Sequence, residues 1–389
     1  MTMTDDRKTI RVVDCDSHIT EPADLWTSRL PGKFSEDAPH VELEDSTGRM
    51  RWRVGKHLLS PVGTGAHAGW REWWPSYPPT LELADPATYD PRERLKKMDD
   101  YGIYAQLLFP NIIAFEVHAF ISLPDPALRL ACVKAYNDFQ TEWCSADRER
   151  LIPQMFLPFW DIDASLAEMK RCAEMGHKAI NWGIEFEKVG LPRARADYWT
   201  PILSQAQEMD LPLTFHIGYN SSPDDHKISY GLTDMRDFAM RVALFMIGNA
   251  NGIAEVIMSG LCEKFPRLRF VSIESGYGYI PYLLESLDWQ YLNMGGRNQF
   301  KEFLMPSEYF RRQVYASFWF EKHIDRLVDL YPDNLMFSSD FPHPTSLSPG
   351  PGSAARNAKE TIEANLDDVP ADTLRKIVRD NAVRCYNLG

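Results

Sequence analysis

Ile10-Arg11-Val12-Val13-Asp14-Cys15-Asp16-Ser17-His18-Ile19-Thr20-Glu21 is the stretch on which the fold turns. The run from Ile10 to Val13 is mostly β-branched and apolar, as a strand buried on both faces requires. Polar groups then arrive quickly: Asp14, Asp16, His18 and Glu21. Alternate residues of a strand share a face, which puts Asp14, Asp16 and His18 on one side. Two carboxylates and an imidazole gathered at a strand end repel and lose hydration unless a partner compensates them. A divalent cation is one such partner. A capped turn, with Asp16 and Ser17 bonded to nearby backbone, is the competing reading.

The chain has 389 residues, long for an ordinary domain yet within the range of an α/β barrel with insertions. Apolar residues make up 44%, enough for a large core, and the net charge of −13 argues against nucleic acid or anionic membrane as partner. No apolar run approaches the roughly 20 residues of a bilayer span, and the polar N-terminus does not read as a signal peptide. Six scattered cysteines with no C-x-x-C pair predict reduced thiols in a cytoplasmic protein.

Residues 22–90 are rich in Pro, Gly and aromatics and keep no sustained period. They include Trp70-Arg71-Glu72-Trp73-Trp74-Pro75-Ser76-Tyr77-Pro78-Pro79. A connection of that length inside a compact domain is usually functional, which predicts an inserted lid-like segment with Trp73, Trp74 and Arg71 against substrate. Plain apolar cover for the aromatics, and surface salt bridges for Arg51, Arg53 and Arg71, are the rival readings.

From Pro91 onward strands are expected at 103–109, 151–157, 178–182, 211–216, 268–273, 313–318 and 335–339, each followed by helix. The helix over 163–175 is expected to open on a capping box of Ser165 and Glu168 and to close at Gly176. With the first strand this makes eight βα units and no linker. The expectation is a single domain, 1–389, built as a (β/α)8 TIM-like barrel with a long insertion after its first strand. An open doubly wound sheet would place a Gly-rich phosphate turn after an early strand, and none is there.

Polar residues fall where a barrel enzyme carries its chemistry, at the C-terminal ends of strands. The first strand offers Asp16 and His18, the fifth His216, the sixth Glu274-Ser275-Gly276, and the eighth Asp340-Phe341-Pro342-His343. One histidine closing a strand is usually a hydrogen-bonded structural residue, but agreement of four strand ends argues for a site. His67 and His118 lie in loops able to face it. His40, His57, His177, His226 and His323 carry no motif and are expected at the surface or in structural roles. The absence of Ser-x-x-Lys, Gly-x-Ser-x-Gly and a nucleophilic cysteine argues against covalent catalysis.

Asp14-Cys15-Asp16-Ser17-His18, His216 and Ser339-Asp340-Phe341-Pro342 resemble the metal motifs of the amidohydrolase superfamily (amidohydrolase-related family 2). The similar branch holds aminocarboxymuconate-semialdehyde decarboxylase and the resorcylate decarboxylases. The resemblance extends to Tyr136-Asn137-Asp138 and Arg150-Leu151-Ile152-Pro153 and spans essentially the whole barrel. It implies one divalent metal held by Asp16, His18, His216 and Asp340, with Asp340 also carrying a proton, and it implies a homodimer. Two carboxylates and two imidazoles form a harder donor set than three histidines, which moves the preference from zinc toward manganese.

Two departures from the family pattern stand out. Asp16-x-His18 replaces the usual His-x-His, as in resorcylate-type members. Glu274-Ser275-Gly276-Tyr277-Gly278 stands where the decarboxylase has a catalytic His-Gly-Gly turn, which makes Glu274 and His343 the candidates for that role. The implied activity is non-oxidative decarboxylation of a small aromatic or unsaturated carboxylic acid. Hydrolysis by metal-activated water, or a silent barrel that binds a ligand or scaffolds a partner, are the alternatives.

Overall fold

The computed structural model describes residues 7, 9–219, 234–274 and 276–389, so that His226, Ser275 and most of the polar stretch 219–233 lie outside the described residues. The strands, in chain order, are β1 (Val12–His18), β2 (His40–Glu44), β3 (Arg49–Val54), β4 (His57–Pro61), β5 (Ile103–Phe109), β6 (Leu151–Pro153), β7 (Ile180–Trp182), β8 (Leu213–His216), β9 (Phe270–Ile273), β10 (Val314–Phe318) and β11 (Leu335–Phe337). Three of them, β2 to β4, form a separate antiparallel sheet. The other eight are parallel, in two ladders ordered β1–β5–β6 and β7–β8–β9–β10–β11.

Bridges between Met155 and Ile180 and between Ser17 and Phe341 join the two ladders at both seams. At the second seam His18 N–H donates to the Phe341 carbonyl (2.7 Å) and Asp340 N–H to the Asp16 carbonyl (2.9 Å). The eight βα units therefore make the (β/α)8 barrel that their alternation predicts. Closing the barrel brings Asp16 and Asp340, 324 positions apart in the chain, onto neighbouring strand ends.

Local signals act as the chemistry demands. Helix Pro91–Tyr101 begins where the Asp90 side chain accepts the N–H groups of Arg92 (2.8 Å) and Glu93 (3.1 Å), and ends at Gly102 with φ 73°. The expected capping box of Ser165 and Glu168 does not form. Helix Ile162–Glu174 starts instead on Asp161, whose side chain accepts the Ala164 N–H (3.0 Å). Ser165 donates to the Pro158 carbonyl, and buried Glu168 accepts from Asn137 (2.8 Å) and Arg171. A carboxylate with those two donors has no reason to reach back to the helix start.

Residues 235–264 form three helices, Met235–Phe245, Asn249–Met258 and Leu261–Lys264. Against the expectation that no apolar run approaches a bilayer span, the stretch Met235–Met258 (24 residues) has the length and apolarity of one. Within 22–90, where no period was visible, the β2–β4 sheet is present. The segment after it is tied to the turn beyond β11: Ala68 N–H donates to the Pro342 carbonyl (3.0 Å) and Gly352 N–H to the Trp70 carbonyl (3.1 Å). A Cβ at Gly352 would lie 2.1 Å from the Glu72 carbonyl oxygen, so only glycine allows this approach.

Candidate active site

β1 runs without interruption through Asp16 and His18, so the polar residues sit in the strand rather than in a turn after it. Asp14 does not join them. The β1–β5 register shifts between Asp14 and Ser17, a bulge that breaks strict alternation. Asp14 accepts instead from Gln106 Nε2 (2.8 Å), from the Ser339 N–H (2.8 Å) and from the Ser339 hydroxyl. Behind the strand, buried Arg94 donates to the His18 carbonyl (2.7 Å) and to Gln106 (3.2 Å). Gln106 and Arg94 carried no signal in the sequence, since neither ends a strand.

Asp16, His18 and His216 converge. His18 Nε2 and His216 Nε2 stand 3.1 Å apart, and each lies 3.4 Å from Asp16 Oδ1. Asp340 Oδ1 is 3.7 Å from His18 Nε2 and 2.9 Å from His343 Nδ1. Glu274 Oε2 is 3.5 Å from His216 Nε2. Both oxygens of Asp16 and both of Asp340 are buried without a hydrogen-bond partner. Two such carboxylates beside two imidazole nitrogens are costly in a protein interior unless a cation completes them. Two overlapping sets, Asp16, His18 and His216, and His18, Asp340 and His343, each bring their donor atoms within 4.8 Å of one another, and nitrogen and oxygen donors of this kind suit a divalent ion such as manganese or zinc.

The electrostatics follow from burial and from these neighbours. Burial alone would raise the Asp16 carboxyl, but His216 and His18 beside it reverse this and hold it below the usual range. Burial and the charge of Asp16 push Asp340 well up. Burial, then the charge of Asp340, does the same to Glu274. Burial drives His343 down to about 3, with His216 adding to it. Asp340 and Glu274 also share a backbone feature: both are non-glycine residues with left-handed φ, 58° and 52°. Such residues cost about 1–3 kcal/mol and cluster at functional sites.

Aromatic rings wall the cluster. His216 stacks on Tyr219 (4.8 Å), Phe115 meets it edge-on (5.2 Å), and His343 stacks on His18 (3.7 Å). Glu274 and His343 face a cavity of about 240 Å³ that Trp74, Trp52, Phe115, Asn111 and Glu21 also line. A second cavity, of about 520 Å³, reaches His216 from the side of Ile184, Arg241 and Phe245. The smaller one meets the acid and base candidates.

Of the insertion residues expected at substrate, Trp74 lines the smaller cavity. Trp73 is 62% exposed, and the Arg71 side chain is 71% exposed beside Glu72 and over the Trp70 ring; neither joins the cavity wall. Arg51 and Arg53 pair with Glu44 and Glu42 across the β2–β3 sheet, the salt-bridge reading. His67 is buried edge-on to Trp74, and His118 sits beside Glu116. His177 is buried against the Thr141 hydroxyl (2.8 Å). Asn111, just past β5, had escaped notice; its position after a strand end is the signal that would have found it.

Three comparisons bear on this geometry. A gamma-resorcylate decarboxylase of Rhizobium sp. (strain MTP-10005) is 26% identical over 261 residues, covering 64% of this chain and 76% of that one. Among solved structures, an amidohydrolase from Mycobacterium avium subsp. paratuberculosis K-10 superposes with TM-score 0.74 at 22% identity, covering 98% of this chain and all of that one. A 5-carboxyvanillate decarboxylase from Novosphingobium aromaticivorans DSM 12444, solved with manganese and 4-hydroxy-3-methoxy-5-nitrobenzoic acid, superposes with TM-score 0.64 at 20% identity over 99% of this chain and 98% of its own. These two structures share the barrel. The amidohydrolase family model matches residues 13–388, and the chain belongs to that family.

Proposed function

We propose that this protein is a metal-dependent decarboxylase of a small aromatic carboxylic acid. The observation that carries the reading is the buried gathering of Asp16 and His216 on one side of His18 and of Asp340 and His343 on the other, with all four oxygens of Asp16 and Asp340 lacking a hydrogen-bond partner. Likeness to gamma-resorcylate decarboxylases over 76% of their length supports the reaction class.

Asp16, His18, His216 and Asp340 would hold a divalent ion, manganese or zinc, which when bound would supply Lewis-acid chemistry toward a substrate carboxylate. The net step breaks the bond between ring and carboxylate, releases CO₂ and delivers one proton to the carbon that lost it. Glu274, beside His216, and His343, beside Asp340, are the groups placed to pass that proton together with Asp340. Phe115 and Trp74 give the ring an apolar slot, and a cavity of about 240 Å³ suits one ring rather than two. The chain reads as one barrel domain, with residues 22–90 covering its mouth through Trp74.

A second copy of the chain is the inferred partner. On helix Ile280–Asn293, Tyr282 (77% exposed) and Trp289 (65% exposed) are seven residues apart and so share an outer apolar face. Light scattering on the wild type and on Trp289→Asp reads this directly. Six free, buried cysteines support the cytoplasm as compartment.

The test of function is a panel of hydroxylated benzoic acids offered to protein stripped with a chelator and then reloaded with manganese or zinc. CO₂ release that depends on the added ion supports the reading. Loss of ester, lactone or amide substrates with no CO₂ from any acid would replace it with hydrolysis.

A further inference from the structure

Among the described residues that line the cavity of about 240 Å³ are three carboxyl side chains, those of Glu21, Glu116 and Glu274, and no Lys or Arg. The imidazole of the wall is engaged, with His343 Nε2 standing 2.7 Å from Asn111 Oδ1. Glu116 is engaged as well: its Oε1 accepts the N–H (3.3 Å) and the hydroxyl of Ser60, and its Oε2 lies 3.9 Å from His118 Nδ1. Glu21, just past the strand end at His18, is held differently. Its Oε1 accepts the backbone N–H groups of Asn111 (2.8 Å) and Ile112 (3.0 Å), which fixes the plane of the carboxyl group. Both bonds fall on one oxygen, and a carboxylate has room for about four. Oε2 is left to the cavity that the residue lines. Burial lifts this carboxyl to about 7, and the groups that pull it down are backbone and Asn111 amide donors, with no cation among them.

From this we infer that Glu21 is a specificity-determining residue: its Oε2 accepts a hydrogen bond from a hydroxyl on the ring of the bound aromatic acid, and its charge excludes a second carboxylate. The inference rests on the decarboxylase reading for the class of ligand. A buried carboxylate oxygen without a donor is costly, so a ligand that brings one binds better by the difference. A methoxy group in the same place offers no hydrogen and leaves that oxygen unpaired. A second carboxylate is worse, because it brings a like charge against a wall without Lys or Arg. Glu21→Gln inverts this preference and keeps the wall. Backbone N–H groups only donate, so the amide oxygen has to take the place of Oε1, and the amide nitrogen, a donor, takes the place of Oε2.

The test is calorimetric binding of benzoic acids that carry a hydroxyl, a methoxy or a second carboxylate at the ortho, meta or para position. It uses the zinc-loaded full chain at a pH well above 7, where Glu21 is ionised. In the wild type, at one ring position or more, the hydroxy acid should bind at least about 10-fold more tightly than its methoxy and carboxy partners. In Glu21→Gln that ratio should fall on the order of 10- to 100-fold, the range of a hydrogen bond to a charged acceptor. Comparing ratios cancels the size of the methoxy group, which both proteins meet alike. Equal ratios in the two proteins overturn the inference. So does a wild type that binds the dicarboxylate as tightly as the matching hydroxy acid at every position, an outcome that needs no variant to fold. Binding is read without turnover, so the two readings fail separately. Hydroxyl selection that depends on Glu21, with no CO₂ from any acid, counts against decarboxylation alone; CO₂ release with equal ratios counts against Glu21 alone.

Discussion

Asp14 ties the first barrel strand to the last: its carboxylate accepts both the N–H (2.8 Å) and the hydroxyl of Ser339. Ser339 precedes Asp340, whose own N–H is fixed on the Asp16 carbonyl (2.9 Å). Together these bonds hold Asp340 in its left-handed backbone conformation. Asp14→Asn keeps the shape but loses one acceptor, since an amide nitrogen cannot receive either Ser339 donor. Metal affinity should fall about 10- to 100-fold, as when outer partners of metal ligands are removed. Competition with a calibrated chelator measures it, and unchanged affinity would mean the tie to Ser339 does not position Asp340.

Asp340 and Glu274 should separate by readout. Asp340→Asn removes a ligand and a proton carrier, so both bound metal and turnover should be lost. Glu274→Gln should keep the metal and lower kcat on the order of 10²-fold or more, the scale of general acid–base catalysis. Elemental analysis beside steady-state kinetics distinguishes the two. A Glu274→Gln enzyme that loses its metal would make Glu274 a ligand instead.

Trp74 and Trp73 are neighbours with different expected consequences. Trp74 lines the cavity of Glu274 and His343, whereas Trp73 is 62% exposed. Trp74→Ala should raise KM or lower kcat about 10-fold with metal retained, by wetting a site whose electrostatics depend on dryness. Trp73→Ala should stay within about 2-fold of wild type, since exposed side chains away from special features change little. Equal losses in both variants would point to a general role for the segment in folding.

His177 supplies the pH prediction. Burial lowers its pKa from 6.5 to about 4, so the folded protein resists a proton that the unfolded chain accepts. The associated stability is fully present above pH 6.5 and is lost as pH falls toward 4. The loss amounts to about 3 kcal/mol, at 1.36 kcal/mol per unit. Denaturant melts from pH 7.5 to 4.5 should show a shallower decline for His177→Gln than for wild type. Parallel declines would remove His177 as a contributor.

The barrel and its polar strand ends were legible because both rest on local pattern. Apolar runs that turn polar at Asp16, His216, Glu274 and Asp340 need no tertiary knowledge to be noticed. Asp14 was misplaced because a bulge between Asp14 and Ser17 is set by pairing with β5, which the sequence of β1 does not contain. The capping box at Ser165 failed for a similar reason: Asn137 and Arg171 claim Glu168, and one of them lies on another helix. The β2–β4 sheet escaped because its strands are short and mostly half-exposed, with little apolar alternation. Trp73, Trp74 and Arg71 look alike in sequence, and only the chain's path through them decides which faces inward.

The central claim is that a proton replaces a carboxylate, and turnover in D₂O tests it most directly. With metal-loaded protein and an accepted hydroxybenzoic acid, the product should carry one deuterium at the carbon that lost CO₂, seen by mass spectrometry and proton NMR. Product that carries a solvent oxygen instead, with no CO₂ released, would contradict it.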